Sequence, residues 1–513
     1  QEMPYIMPRN EQGQVHAAAA FAKTTNRLQT YMCTASIGPG SLNMVTGAAL
    51  ATTNRLPVLL FPSDQFATRV PDPVLQQLED PTSLDVSVND AFRPVSRFFD
   101  RINRPEQLIP SLLNAMRVLT DPAETGAVTI AMPQDVQAEV FDWPVELFRK
   151  RVWHVRRPVP EPAALERAVA LIKAAKRPLI IAGGGTIYAG ASEELRALAT
   201  ATGIPVGDTQ AGKGAINFDH PSAVGGVGST GCDSGNHIAD KADLIIGVGT
   251  RYSDFTTASK TQFKNPDVKF VNINVTPFDA AKESAEMVVA DAREALAALR
   301  EALADYRVEA AYSEEITAEK EAWLKATERC YHLDHGPLPA QTEVFGALNE
   351  LMGEEDVVIN AAGSMPGDLQ ALWQARSPLQ YHVEWAMRFP PRWVSSSPGP
   401  RPRWSPSWVT APTRCSPWSW PPWSRRTSRS STSCCRTTAS APSVPSRSPA
   451  APSASAPSTA GAARAATWPT SRSSTASTSP PTPAPGAWTS SRSTPSRSSR
   501  RPTARPRPPT VPR

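Results

Sequence analysis

The chain has 513 residues, with 53 Lys+Arg against 48 Asp+Glu and a net charge of +5. That balance averages two unlike pieces: residues 386–513 hold 19 Arg and no Lys, Asp or Glu, which leaves 34 basic and 48 acidic residues in 1–385, a net of −14. The body is thus acidic, so the basic total excludes a nucleic-acid partner for it, and it has no apolar run long enough to span a bilayer and no signal peptide. Cys33, Cys232 and Cys330 stand alone, without CxxC or a Cys/His cluster. That spacing fits a reducing compartment and no zinc site, so the expectation is a cytoplasmic protein with no membrane and no nucleic-acid partner.

In chain order, the helix-like "GQVHAAAAFAKT" is followed by a predicted strand at 28–36 ("LQTYMCTAS") and the helix-like "SLNMVTGAALATT". Predicted strands at 56–62 ("LPVLLFP") and 126–133 ("GAVTIAMP") flank the helix-like "PEQLIPSLLNAMRVL". Near-continuous apolar strands alternating with helices predict a parallel sheet covered on both faces. The Pro-rich link "RRPVPEP" (156–162) leads to a second unit of the same grammar. It contains "AALERAVALIKAA", "PLIIAGG", "ASEELRALATAT", "ADLIIGVG" and "VKFVNINV", and closes on the amphipathic "DAREALAALREALADY". A third unit opens near Leu338 with "AQTEVFGALNELM", "DVVINAAG" and "PGDLQALWQA", and reads as cut off before its second strand.

The expected fold class is α/β: three parallel-sheet domains, the first and third incomplete, then a disordered tail. The expected boundaries are 1–155, truncated at its N-terminus because the chain opens at Gln1 rather than Met, then 156–310, 335–385 and 386–513. In the tail Ser, Pro, Arg, Thr and Ala dominate without periodicity, a composition that cannot bury enough apolar surface to offset chain entropy.

Two motifs carry candidate chemistry. "PRNEQGQVHAAAAFA" puts Glu11 where an extended segment meets a helix, and "SIGPGSLN" gives a Gly-Pro-Gly loop that opens another helix. A carboxylate beside a Gly-rich loop at a helix start is an α/β ligand arrangement. Taken locally, Glu11 is equally a first-turn acid favoured by the helix dipole, and the loop equally plain turn chemistry. "AGGGTIYAG" (182–190) is not GxGxxG, because position 188 is Tyr. It reads as a strand-to-helix turn in a domain that binds no nucleotide. His16 reads as a packed histidine, and His382 as ambiguous between packing and a site.

"RNEQG…AAAAFA", "TASIGPGSLNMVTGAALATTNRLPVLLFPSD", "MPQDV" and "VVINAAGSMPGDLQALW" together resemble thiamine-diphosphate enzymes of the acetolactate-synthase type, over essentially all of 1–385. "NEQGQVHAAAAFAK" and "NAAGSMPGDLQALW…YHVE" are most similar to the branch that hydrolyses a cyclic 1,2-dione in inositol catabolism. The resemblance implies a pyrimidine domain, a central domain and the start of a diphosphate domain. It implies thiamine diphosphate and Mg²⁺ as cofactors, a small-molecule substrate, and a homodimer or homotetramer. It makes Glu11 the catalytic carboxylate that hydrogen-bonds the aminopyrimidine ring, with Pro39, Gly40 and Asn43 lining the ring pocket and Gly363 and Ser364 approaching the diphosphate. C–C bond hydrolysis of a cyclic 1,2-dione is the implied activity, with an acetolactate-synthase-like carboligase as the alternative.

That family follows this region with Met-Gly-Tyr and then Gly-Asp-Gly and Asn, whose Asp and Asn hold the Mg²⁺; the tail as written has neither. Trp is encoded only by TGG, however. Joining the last base of each codon to the next two therefore forces Gly across Trp385–Ala386, Trp393–Val394 and Trp408–Val409. Val409–Thr410 then permits Asp, Thr410–Ala411 permits Gly and Arg436–Thr437 permits Asn. The tail thus reads as the diphosphate domain translated out of frame, with the metal ligands lost, and a non-functional frameshifted remnant is a second alternative for the chain. A genuine Ser/Pro/Arg-rich tail is the rival reading.

Overall fold

The computed structural model describes residues 5–353, 355–361 and 363–384, with two short strands at 408–410 and 434–436. All of them lie in the first of two compact units, 1–440. The fold is α/β, with every described strand pair parallel.

The first sheet contains β1 (Met32–Ala35), β2 (Val58–Asp64), β3 (Phe98–Arg101) and β4 (Ala127–Pro133), in the order β1-β2-β4-β3. The run "AVTIA" of β4 is buried throughout, as a central strand covered on both faces requires. Asp64, at the end of β2, is buried and paired with Arg101 of β3 (Nε–Oδ2 2.7 Å). The edge strand β3 has no sequence signal of its own, because all four of its residues are only half-buried. The helix Glu11–Thr24 lies against the helix Val45–Thr53, where a Cβ on Gly47 would stand 2.6 Å from the Val15 Cβ. The single helix expected at 41–53 is two pieces, Pro39–Leu42 and Val45–Thr53.

The second sheet contains β5 (Pro178–Ala182), β6 (Val206–Asp208), β7 (Ala223–Gly226), β8 (Leu244–Val248), β9 (Lys269–Asn274) and β10 (Glu286–Val289). Its order is β10-β9-β8-β5-β6-β7. The chain direction of winding reverses between β5 and β8, and the crevice beyond the carboxyl ends of those two strands is where such sheets bind ligands. "AGGGTIY" is there, as a strand-to-helix turn into the helix Gly184–Tyr188. Its glycines serve backbone packing: a Cβ on Gly185 would lie 2.7 Å from the Gly249 Cα.

The helix Ala310–Tyr331, absent from the sequence reading, joins the second sheet to the third unit. Trp323 Nε1 donates to the Ala371 carbonyl at 2.8 Å and Tyr331 OH to the Leu372 carbonyl at 2.7 Å. The third unit has the helix Gln341–Leu351, β11 (Val358–Ala361), the helix Met365–Leu372 and β12 (Tyr381–Glu384). The reading of this unit as cut off before its second strand is corrected here. β12 is that strand, parallel to β11 with Tyr381 opposite Val358, and its Tyr381 and Val383 bury into the unit's core.

Of the tail, β13 (Trp408–Thr410) and β14 (Cys434–Arg436) pair in parallel, with Trp408 opposite Cys434. These two segments depart from the expectation of disorder; Trp, Val and Thr favour strands. The rest of the expected tail, and the Met-Gly-Tyr region of the shifted frame, fall outside the described residues.

The glycine packing at the switch point gives a contrast to measure. Gly183→Ala puts a Cβ 2.5 Å from the Thr250 Cα, a backbone atom that cannot move aside alone. Gly190→Ala meets open space at φ +64°. Overpacking costs about 1–3 kcal/mol and left-handed strain about 1 kcal/mol. Chemical denaturation should therefore show Gly183→Ala losing clearly more stability than Gly190→Ala.

Candidate active site

The site is built where β1 runs into the Gly-Pro-Gly turn. Asn10 caps the helix Glu11–Thr24 with extended backbone (φ −154°), its Oδ1 accepting from the Gly13 N–H at 2.6 Å. The cap fixes where the helix begins and so where Glu11, its first residue, projects. Gly38, at φ +75°, turns the chain into the short helix Pro39–Leu42. Pro39 opens that helix, and its carbonyl accepts from the Asn43 N–H at 3.0 Å. Asn43 Nδ2 then donates to Glu11 Oε2 at 2.9 Å. Glu11 Oε1 faces Gly40, where a Cβ would stand 3.5 Å from it and 2.6 Å from Ser36 Oγ. The absent side chain at Gly40 leaves one carboxylate oxygen approachable while Asn43 holds the other.

The segment 65–87 closes over this turn. A Cβ on Gly38 would collide with the Gln76 carbonyl, so the backbone packs directly on the glycine. Asp135, from the "MPQDV" motif, pins the start of the segment by accepting from the Ala67 and Thr68 N–H groups at 2.9 and 3.0 Å. Those bonds hold its carboxyl below the usual range against the opposing effect of desolvation.

Glu11, Gly40 and Asn43 therefore form one cluster, with Pro39 in the adjoining turn. Gly363 and Ser364 stand elsewhere, between β11 and the helix Met365–Leu372. Gly363 has φ +141° and open space around it, and the Ser364 carbonyl accepts from Gly367 N–H at 3.0 Å. Among the described residues no hydrogen bond joins them to Glu11 or Asn43. Strand, glycine turn and helix start suit the approach of a phosphate. No group of three or more His, Cys, Asp or Glu suited to a metal occurs among the described residues.

His16 is buried on the face of its helix turned to the core. His382 is buried on β12, where burial, reinforced by the Lys23 ammonium, pushes it down to about 3. It is neutral at ordinary pH and cannot serve as an acid near neutrality. Lys23 Nζ meanwhile donates to the Val383 carbonyl at 2.8 Å, tying the helix of Glu11 to the third unit. The sequence reading missed Lys23, Asn10 and Gln76; of these only Asn10, a capping residue before a helix, left a local signal.

Two expectations follow. Gly38→Ala should lift the segment 65–87 from the turn, so limited proteolysis should cut it faster than in the parent chain; an unchanged rate would contradict the packing. For His382 the unfolded chain takes up a proton below pH 6.5, while the folded one stays neutral down to about 3. Stability should thus be full above pH 6.5 and fall below it by up to about 1.4 kcal/mol per pH unit from this residue. In denaturation series, His382→Gln should flatten that slope.

Comparison with known proteins agrees with this layout. Residues 1–84 match the thiamine pyrophosphate enzyme N-terminal TPP binding domain, and residues 165–299 the thiamine pyrophosphate enzyme central domain. The chain is 49% identical over 408 residues to a 3D-(3,5/4)-trihydroxycyclohexane-1,2-dione hydrolase of Bacillus cereus (strain AH820), covering 75% of this chain and 63% of the relative. It is 48% identical over 408 residues to the protein of that name from Bacillus anthracis (strain CDC 684 / NRRL 3495), with the same coverage. It is 49% identical over 410 residues to the one from Bacillus thuringiensis (strain Al Hakam), again covering 75% of this chain and 63% of the relative. The chain thus spans 63% of the length of the curated relatives it matches. It carries the N-terminal TPP binding domain and the central domain of thiamine pyrophosphate enzymes.

Proposed function

We propose that the protein is a thiamine-diphosphate-dependent hydrolase of C–C bonds acting on a cyclic 1,2-dione, trihydroxycyclohexane-1,2-dione, in inositol catabolism. The observation that carries this reading is the Glu11–Asn43 hydrogen bond at 2.9 Å beside the bare Cα of Gly40. It sits in a chain about half identical to hydrolases of that name. Thiamine diphosphate, when bound, supplies the carbon nucleophile and electron sink that C–C cleavage needs. The chain's own part is to bind and orient. Glu11 holds a proton between its carboxylate and the aminopyrimidine ring, Asn43 fixes the carboxylate's rotamer, and Gly40 with Pro39 shapes the ring pocket. The N–H groups near Gly363 and Ser364 would receive the diphosphate.

The fit is good at the ring end and lacking at the metal end. The residues that family members use for Mg²⁺, an Asp and an Asn, are absent from the tail as written and are permitted, not forced, by the shifted frame. Its codons for Gly-Asp-Gly overlap β13, and its Asn follows β14. No step is therefore assigned through the metal. The small-molecule substrate, a homodimer or homotetramer and a reducing, cytoplasmic setting belong to the same reading. Among the described residues no helix is long and apolar enough to cross a membrane.

The body's net charge of −14 opposes a diphosphate, and without the metal ligands little offsets it. Calorimetry should thus find no Mg²⁺-dependent micromolar binding of thiamine diphosphate by the chain as written. Restoring the frame after Glu384 and extending the chain to the length of its relatives should give dione hydrolysis. In that protein Glu11→Gln keeps the shape of the side chain but cannot exchange the proton, and turnover should drop by at least about 10²-fold. A loss within a small factor would make Glu11 a helix-start acid. Synthesis of acetolactate from pyruvate, with the dione untouched, would favour the carboligase.

A further inference from the structure

The central domain and the third unit meet at the edge of the second sheet, where β7 faces the helix Met365–Leu372. The contact is polar and closely paired. Gln210 Nε2 donates to the Pro366 carbonyl at 2.7 Å, and Tyr381 OH to Gln210 Oε1 at 2.8 Å. The Phe218 N–H donates to the Ala375 carbonyl at 3.0 Å, and the Trp323 indole is engaged by the Ala371 carbonyl. Gly214, at φ +90°, brings the turn after β6 so near the third unit that a Cβ there would stand 2.5 Å from the Ser377 carbonyl oxygen.

Two buried side chains, one on each side of this contact, are left out of the pairing. Asp208, the last residue of β6, is buried, and its Oδ1 meets no partner among the described residues. Trp373, just past the helix Met365–Leu372, is 1% exposed, and its Nε1 meets no acceptor among them. Lys213, 2% exposed, is the third polar group here. Its Nζ stands 3.6 Å from Asp208 Oδ2, an ion pair too long to be a hydrogen bond. Burial pushes the Asp208 carboxyl up, and Lys213 opposes that. All three side chains line one cavity of about 10 Å³, whose other walls include Ile216, Phe218 and Trp323.

Buried polar atoms without partners are costly, and more so beside apolar walls. One water needs roughly 10–15 Å³ of such space and about two to four polar partners. The cavity has that size, and it offers two donors and one acceptor. An ion fits the charges poorly, because a cation would meet the Lys213 ammonium and an anion the Asp208 carboxylate. We propose that this cavity is a binding site for a single structural water, which joins Trp373 of the third unit to the Asp208–Lys213 pair of the central domain. The water accepts from Trp373 Nε1 and Lys213 Nζ and donates to Asp208 Oδ1. It thereby sets how the helix Met365–Leu372 is seated on the second sheet. The inference does not depend on the role given to Glu11.

The test is a crystal structure of the whole chain at a resolution that shows ordered water, together with melting temperatures of three variants. One water should stand within about 2.7–3.2 Å of both Trp373 Nε1 and Asp208 Oδ1. Trp373→Phe keeps a ring in place but removes the donor, and it should melt about 2 °C or more below the parent. Asp208→Asn keeps the shape of the other partner and changes its charge. Because the water couples the two groups, the double variant should lose less than the sum of the single losses. Should Asp208→Asn fail to fold, the crystal structure of Trp373→Phe decides instead, and there the water should be lost or displaced. A parent cavity without water, a water that touches Lys213 alone, single losses that simply add, or a water unmoved in Trp373→Phe overturns the proposal.

Discussion

The first domain depends on one close approach: backbone against backbone at Gly38, and carboxylate against bare Cα at Gly40. A side chain at Gly38 would push away the Gln76 carbonyl, and one at Gly40 would crowd Ser36 and Glu11. Everything around the turn serves that approach. Asn10 fixes the start of the helix of Glu11, Gly47 lets that helix lie on its neighbour, Asp135 pins the covering segment, and Asn43 holds the carboxylate. The result is a carboxylate with one oxygen satisfied and the other facing space shaped by glycine, at the carboxyl edge of a parallel sheet.

The rear of the same helix does a different job. Lys23 reaches the Val383 carbonyl in the third unit, and Arg27 stacks on Tyr188 in the central domain. A single helix thus offers its N-terminus to the candidate site and its C-terminus to two neighbouring domains.

Legibility in the sequence followed the range of the forces. The central strands β4, β5 and β8 are continuous apolar runs and were readable, because burial on both faces writes itself into composition. β3, β6 and β7 were not: β3 is only half-buried throughout, and glycine or a charge interrupts the short runs of β6 and β7. The helix Ala310–Tyr331 was missed because its apolar face is sparse, and Trp323 and Tyr331 on its buried face hydrogen-bond the third unit. In the site, Glu11 and Asn43 are 32 residues apart and no local rule pairs them. Resemblance to a family put both at the ring pocket; the hydrogen bond between them comes from the fold. Gly363 and Ser364 lie in the third unit, between β11 and the helix Met365–Leu372, and among the described residues no hydrogen bond joins them to Glu11.

The most direct measurement is a crystal structure of the frame-restored protein with thiamine diphosphate and Mg²⁺ bound. Glu11 should then lie within about 2.6–3.2 Å of a ring nitrogen of the aminopyrimidine, with the ring over Gly40 and Asn43 still on the second carboxylate oxygen. A cofactor bound with its ring elsewhere, and Glu11 facing only water and Asn43, would contradict the assignment of this carboxylate.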